Sequence, residues 1–403
     1  MTESPTDKAC AEPYSPCGLV AAHINLDALR ANWRLLVSLS ENALPMGVVK
    51  ADAYGHGIEK VARVLLSEGC RTFAVGSVDE GVYLRRRLGF DFAPDFAHDA
   101  VTILPLMGIM DEREAALAVR YALLPLIHST RQASLVRAAY SGKNPLPVAV
   151  KVDTGMSRLG FGSEQPGEML SALREGGVLK PVFVLSHLAA ADEPKRAGVA
   201  MQLARFLKAY ALLRENWPDI VPSLANSPGY LEKEKLLAKL PSHHVGRPGF
   251  ALYGGNPFAG DDRETSGKKL LPVMSVTAPV LAARDLPAGE TVSYGRDFTA
   301  QKDMRVAVIG AGYADGFSRG LSGRGEVSLR GEKKNILGRV CMQMHIVDVT
   351  GMAGVAPGDT AYLLGGEGPG VITMDELAKR WGTIPYEVFC LLGKNPHIYH
   401  GSV

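Results

Sequence analysis

Short apolar, β-branched runs recur through the first two thirds of the chain. They lie at 46–50 (MGVVK), 72–76 (TFAVG), 101–106 (VTILPL), 122–127 (ALLPLI), 147–152 (PVAVKV), 181–186 (PVFVLS), 220–224 (IVPSL) and 244–247 (HVGR). The gaps between them often hold apolar residues at helical spacing. In GIEKVARVLLSEG (57–69), Ile58, Val61, Ala62 and Leu65 form one stripe at i, i+3, i+4 and i+7. Strands that alternate with helices pair in parallel. Eight such units predict a closed (β/α)8 barrel rather than an open sheet.

From about residue 270 the pattern changes. PVMSVTAPVLAAR, RVAVIG, EVSLRG, NILGRV, HIVDVT and TAYLLGG are separated by tight Gly, Asp and Asn turns without helices between them. This is antiparallel β composition. One helical pattern interrupts it, TMDELAKRWG (373–382), which starts on a T-x-D-E cap. The expected organisation is an α/β chain: a barrel over 28–255, then a mainly antiparallel β domain over 256–403. A strand at 20–27 is expected to pack on the β domain, and 1–19 to form a flexible tail.

Bulk composition narrows the function classes. A chain of 403 residues is too long for one small core. With a net charge of +2 there is no electrostatic case for nucleic acid or an anionic membrane. No segment approaches the ~20 apolar residues that span a bilayer, and the start, MTESPTDKACAEPYSPCG, lacks the apolar core of a secretory signal. The cysteines (Cys10, Cys17, Cys70, Cys341, Cys390) are scattered, odd in number and without a C-x-x-C pair. That argues against a zinc site or disulfide framework and for a reduced cytoplasm. His243 and His244 are adjacent, and no H-x-x-x-H occurs, so no metal is expected.

The candidate chemistry begins in VVKADAYGHG (48–57), where an apolar strand runs straight into Lys50. Such a lysine can simply snorkel to water from a strand end, or its amine can serve as a covalent nucleophile. In a barrel of this type the site forms at the C-terminal strand ends. There Lys50 follows strand one, Arg158 strand five, His187 strand six, Asn226 and Ser227 strand seven, and Arg247 strand eight. Each has a dull alternative: a core histidine, a helix cap at Ser227, surface ion pairs for the arginines. Their convergence on one rim argues otherwise. Loops after strands seven and eight commonly bind phosphate. A phosphate there, a lysine across the barrel and an arginine between them outline pyridoxal phosphate held covalently by lysine.

The motifs VVKADAYGHG, KVDTGMSRLGF, SHLAAADE, ANS, GRPGFALYG, TVSYG, GYADGFSR, GRVCM and IPYEV together resemble the alanine racemase family, over nearly the whole chain from about residue 20. The resemblance implies a pyridoxal-phosphate enzyme that interconverts L- and D-alanine by two-base proton exchange. Lys50 would act on one face of the substrate and Tyr294 of the partner subunit in a head-to-tail homodimer on the other. A phenol is a poor base at neutral pH, so a Tyr294–His187–Arg247 hydrogen-bond chain is expected to assist it. Arg247 against the ring nitrogen can only donate, which disfavours transamination. By the same resemblance, Tyr54, Ser227, Tyr386 and the Gly249 and Phe250 amides would hold the phosphate. Arg158 would meet the cofactor and the substrate carboxylate, which the partner's Met342 amide would also contact. Lys151 would be carbamylated to orient Arg158; its dull alternative is an interior salt bridge. Asp192, Tyr313, Arg319 and Arg339 would line the access corridor. D-Alanine for peptidoglycan would be the product in use, made in the cytoplasm.

Three positions depart from the family pattern. Gln343 stands where an Asp is usual, GKNPHIYH replaces a basic terminal segment, and Ser223 stands where a His is common. The last is expected to remove a partner from the Arg247 region. Rival readings remain. RVAVIGAGYADG (305–316) has the glycines of a dinucleotide loop, but FSRGLSGRGEVSLRG follows where a helix should open. A non-catalytic cofactor-binding barrel would not need the β domain that carries Tyr294. A racemase of serine or of a broader amino-acid range is the nearest alternative.

Overall fold

The computed structural model describes residues 19–40, 43–89, 101–193, 195, 198–267 and 269–403. Most of the expected N-terminal tail, with Cys10 and Cys17, lies outside them. The described chain forms two compact units. One joins the residues up to Ile24 with Met274–Tyr399; the other comprises Asn25–Val273 with His400–Val403.

The second unit is an α/β barrel. Gly47–Val48, Thr72–Val75 and Thr102–Pro105 pair in parallel, as do Leu126–Ile127, Leu146–Asp153, Leu179–Leu185 and Val221–Ser223. A bond from Leu124 N–H to the Ile103 carbonyl (2.8 Å) links the two groups. The strand expected at 244–247 is not a regular strand. Its backbone still closes the ring: Val245 and Arg247 donate to Pro222 and Ala225 (3.0 and 2.8 Å), and Met46 donates to Gly246 (2.9 Å). Two neighbours explain the irregularity. Pro248 has no N–H to continue a ladder, and the Tyr230 ring fills the place of a side chain at Gly246, 2.1 Å from where a Cβ would sit.

The helices cover the barrel as the apolar spacing predicts. In Ile58–Ser67 the buried positions are Ile58, Val61, Ala62, Val64 and Leu65. Ser77, Asp111 and Ser129 accept N–H bonds at the starts of Val78–Arg87, Glu112–Arg120 and Thr130–Ala139, satisfying otherwise orphaned donors.

The other unit is antiparallel. Met274–Leu286 pairs with Thr360–Leu364 on one side and, past a bulge at Val280/Ala282, with Met304–Ile309. His345–Asp348, Glu332–Leu337 and Glu326–Leu329 complete a closed ring. Ala21–Asn25 pairs with the start of the long strand, Ala21 opposite Thr277. Helix Met374–Trp381 carries the expected cap, with Thr373 and Glu376 bonded reciprocally. A second helix, Pro385–Leu392, was not expected, because IPYEVFCLL reads as one more apolar run. The 305–316 motif is a strand, then a 3-10 turn at Tyr313–Asp315, paired antiparallel to His345–Asp348. No βαβ unit surrounds it, so the dinucleotide reading fails. Gly312 is needed for another reason: a Cβ there would lie 2.2 Å from the Cys341 carbonyl oxygen. Among the described residues no helix is long and apolar enough to cross a membrane.

Candidate active site

Lys50 leaves the first barrel strand into a turn of reversed hand. Ala51, Asp52, Ala53 and Tyr54 have φ of +53°, +51°, +55° and +55°. Left-handed backbone costs each non-glycine residue ~1–2 kcal/mol, so such a run persists only where its surroundings enforce it. Here they do. Asp52 accepts the Ile58 N–H (2.7 Å). The His56 ring N–H reaches the Ala53 and Tyr54 carbonyls (3.0 Å each). Glu80 takes the Ala51 and Gly76 amides, at 2.9 and 2.6 Å. The turn brings the Tyr54 hydroxyl against Gly249, where a Cβ would come within 2.5 Å of it.

A cavity of about 250 Å³ opens at these strand ends, lined by Lys50, Tyr54, Lys151, Arg158, His187 and Arg247, with Val48, Leu106, Leu126 and Leu185 as apolar wall. Its lining contains four cations and no carboxylate. Burial, then Arg247, Arg158 and Lys50, push the Lys151 amine down to about 8. Burial and the same cationic surroundings hold His187 well below its ordinary value, so its ring is neutral at neutral pH. Burial alone lowers Arg247 to about 10, which leaves it charged. The charge of the cavity suits an anion, and the Lys151 amine in it is easier to deprotonate than an ordinary lysine.

Arg247 is fixed by donation to the Ser223 hydroxyl and the Ser186 carbonyl, not to His187. Ser223 in turn donates to the Val245 carbonyl (2.5 Å). The expectation that Ser223 removes a partner of Arg247 is therefore corrected: the hydroxyl is itself the partner. Arg158, exposed, sits on a loop folded around Asp153, which accepts from Gly155, Met156 and Ser157 (2.8, 3.0 and 3.1 Å). Burial raises the Asp153 carboxyl, but these amides outweigh it and hold the group below its usual range. Ser227, buried, accepts the Ala251 N–H at 3.1 Å beside the Gly249–Leu252 turn, and Asn226 caps Ser227–Leu231. The Gly249 N–H donates to the Arg247 carbonyl (2.9 Å), a bond it must exchange to serve an anion. Asp192 lies near by in sequence with its side chain exposed; Arg263 holds its carbonyl at 2.6 Å.

The remaining candidates belong to the β unit. Tyr294 is 73% exposed, between Ser293 (φ +66°) and Gly295 (φ +77°). Ser293 donates to the Arg339 carbonyl (2.7 Å), and Arg339 pairs with Asp297. Tyr313 and Met342, both exposed, are joined through backbone bonds from Tyr313 to Cys341 and from Ala314 to Met342 (3.1 and 2.8 Å). Arg319 is exposed, and Tyr386 is partly buried on helix Pro385–Leu392.

Several residues escaped the sequence reading. Glu80 was one, although an acid three positions after Ser77 is visible as a helix start. Ser186 and Thr154, whose hydroxyls meet at 2.8 Å, and the buried Gln202, which holds the His187 carbonyl and the Ala189 amide (3.0 and 2.9 Å), carried no local signal.

Comparison with known proteins decides the family. Residues 24–257 match the alanine racemase N-terminal domain and 273–399 the alanine racemase C-terminal domain. The chain belongs to the alanine racemase family. An alanine racemase of Nitratidesulfovibrio vulgaris is 44% identical over 94% of this chain and 97% of its own. A catabolic alanine racemase of Rhizobium johnstonii is 39% identical, covering 92% of each. Among solved structures, alanine racemase from Bartonella henselae with covalently bound pyridoxal phosphate has a TM-score of 0.80 at 29% identity, over 96% of this chain and 100% of that one. The Bacillus anthracis alanine racemase with bound L-Ala-P has a TM-score of 0.84 at 26% identity, over 97% and 96%. Alanine racemase relatives thus match both units.

Proposed function

We propose that this pyridoxal-phosphate-dependent racemase interconverts L- and D-alanine through two bases, Lys50 and Tyr294 of a partner subunit. The carrying observation is the cavity: a lysine amine at a strand end, in a pocket that also holds Lys151, Arg158 and Arg247. The cofactor fits it. The Lys50 amine is present for its aldehyde, Arg158 suits its phenolic oxygen and a substrate carboxylate, and Arg247 lies in the same lining. The missing side chain at Gly249, whose Cβ would strike Tyr54, lets that hydroxyl approach the loop expected to hold phosphate. Tyr54, Ser227, Gly249, Phe250 and Tyr386 would bind that phosphate, and Arg247 would donate to the ring nitrogen. When bound, the cofactor acidifies the substrate's α-proton by drawing off electron density.

The protein's own work is then positioning and proton movement. Lys50 anchors the cofactor and afterwards takes or returns the α-proton at Nζ. The Tyr294 oxygen exchanges the α-proton on the opposite face, hydrogen-bonded to the neutral His187 ring. Arg158 orients the carboxylate, with the partner's Met342 amide. The lowered Lys151 amine supports carbamylation, because only the unprotonated form attacks carbon dioxide. Asp192, Tyr313, Arg319 and Arg339 would line the approach. The reading includes a head-to-tail homodimer with shared sites, a cytoplasmic setting and supply of D-alanine for peptidoglycan.

Borohydride reduction of the holoprotein, followed by digestion, is expected to place the pyridoxyl tag on Lys50. Exchange of the α-proton for deuterium across a panel of amino acids should be fastest for alanine. A tag elsewhere, or serine exchanging faster than alanine, overturns the corresponding half of the proposal.

A further inference from the structure

The left-handed residues follow directly on Lys50, so whatever fixes that turn also fixes the backbone from which its side chain starts. Most of the bonds in the turn are local. Asp52 and His56 reach at most six residues along the chain. Glu80 is different, because it bonds Ala51 from 29 residues away. It sits in the first turn of helix Val78–Arg87, its own N–H accepted by Ser77 at 3.2 Å. One carboxylate oxygen takes the Ala51 N–H and the other takes the Gly76 N–H. Gly76 follows the second barrel strand and lines the same cavity as Lys50.

The chemistry suits the geometry. Two N–H donors converge on one side chain and need two acceptor oxygens. An ionised carboxylate only accepts, whereas an amide or hydroxyl also brings donors. Bonds to the charged group are the stronger kind. The space is tight as well: a Cβ at Gly76 would lie 3.0 Å from the Glu80 carboxylate and 3.6 Å from Met107.

We infer that Glu80 is a positioning residue for Lys50, tying the strained turn one peptide beyond the lysine to the neighbouring strand end. This rests on Lys50 being the cofactor-bearing lysine. The competing account is that Glu80 merely stabilises its own helix as an acid near the N-terminus.

The full-length chain, stripped of cofactor, separates the two in wild-type, Glu80→Gln and Glu80→Ala forms. Each is mixed with pyridoxal phosphate and sampled with borohydride to count tagged Lys50. Hydrogen exchange is followed over residues 50–57, and global unfolding is followed by circular dichroism. Glu80→Ala is expected to slow tagging of Lys50 about tenfold or more, with Glu80→Gln between it and wild type. Exchange over 50–57 should quicken by a similar factor, while Thr130–Ala139 and Val199–Asn216 keep wild-type rates. Wild-type tagging and exchange in folded Glu80→Gln would overturn the inference. So would a loss of global stability with tagging per folded molecule unchanged. Should Glu80→Ala not fold, Glu80→Gln decides, since it keeps the volume and one acceptor oxygen. A wild-type protein with no tag on Lys50 would instead overturn the assignment of Lys50, and exchange over 50–57, which needs no cofactor, would still judge Glu80.

Discussion

The barrel unit and the β unit hold their candidate chemistry in opposite ways. In the barrel the polar groups line a cavity and are tied down: Arg247 is 7% exposed and bonded to Ser223 and Ser186. In the β unit Tyr294 is 73% exposed and Met342 57% exposed. Their backbones are nonetheless tightly specified, by Ser293 and Gly295 at positive φ and by the Ala314–Met342 bond. A buried cation needs dedicated acceptors, because leaving it unpaired is costly. An exposed phenol on a rigid perch costs little and gains little from its own unit. The difference is that the barrel fixes its polar groups around a cavity of its own, whereas the β unit presents Tyr294 and Met342 outward on a fixed backbone.

The sharpest way to break this comparison is to remove one proposed base from each unit. Lys50→Ala should lose both the lysine-bound cofactor, read as loss of the yellow absorption band, and turnover by about a thousandfold or more. Tyr294→Phe should keep the band and lose about 10²–10⁴ in turnover, with proton exchange from the L side hit hardest. Equal exchange from both sides in Tyr294→Phe at wild-type rate would remove the β unit from the reaction. The barrel's part would stand.

A smaller effect tests how the barrel's cations are balanced. Lys151 is pushed down to about 8, so its neutral fraction, and with it carbamate formed from labelled bicarbonate, should rise about tenfold per pH unit below that value and level off above it. Carbon NMR of the labelled protein reads this directly. A flat response through that range would return Lys151 to an ordinary interior lysine.

What the sequence made legible divides along similar lines. The barrel was visible because strand and helix periods alternate, as the stripe through Ile58, Val61, Ala62 and Leu65 illustrates. Lys50, His187 and Arg247, which line the cavity, were also visible, because each follows an apolar run. The left-handed turn at Ala51–Tyr54 was not: two alanines and a tyrosine disfavour positive φ, and the conformation is held by Glu80, Asp52 and His56. Nor could Ser223 be judged from its neighbours, since its partner lies 24 residues away. Helix Pro385–Leu392 was hidden because its buried Val388, Phe389 and Leu392 sit in a run too apolar to show a period. Long-range contact, rather than local composition, decided each of these.

Ser223 offers the next test in order of size. Removing its hydroxyl leaves the buried Arg247 guanidinium short of an acceptor, so Ser223→Ala should cost about 1–3 kcal/mol in denaturant unfolding. A neutral result would mean that the Ser186 carbonyl suffices to hold Arg247.

The smallest effect contrasts one histidine from each unit. His345 in the β unit is fully buried, donates to the Ala311 carbonyl at 2.8 Å and stacks on Phe317 at 4.9 Å. Burial lowers it from 6.5 to about 4. The unfolded chain therefore binds the proton first, and between these values stability falls as pH falls. The expected loss is about 0.7 kcal/mol between pH 7 and pH 6. His345→Asn keeps a donor for Ala311 without a titrating ring and should remove that slope, as read by unfolding at several pH values. His187 in the barrel is lowered by burial and by the surrounding cations, so an anionic ligand in the cavity should raise its value and shrink its share of the acid sensitivity. Adding pyridoxal phosphate should thus flatten the part of the slope that survives in His345→Asn and leave the His345 part unchanged. If the cofactor altered both parts equally, the two units would not titrate independently, and the contrast between a ligand-tuned cavity and a self-contained β core would fail.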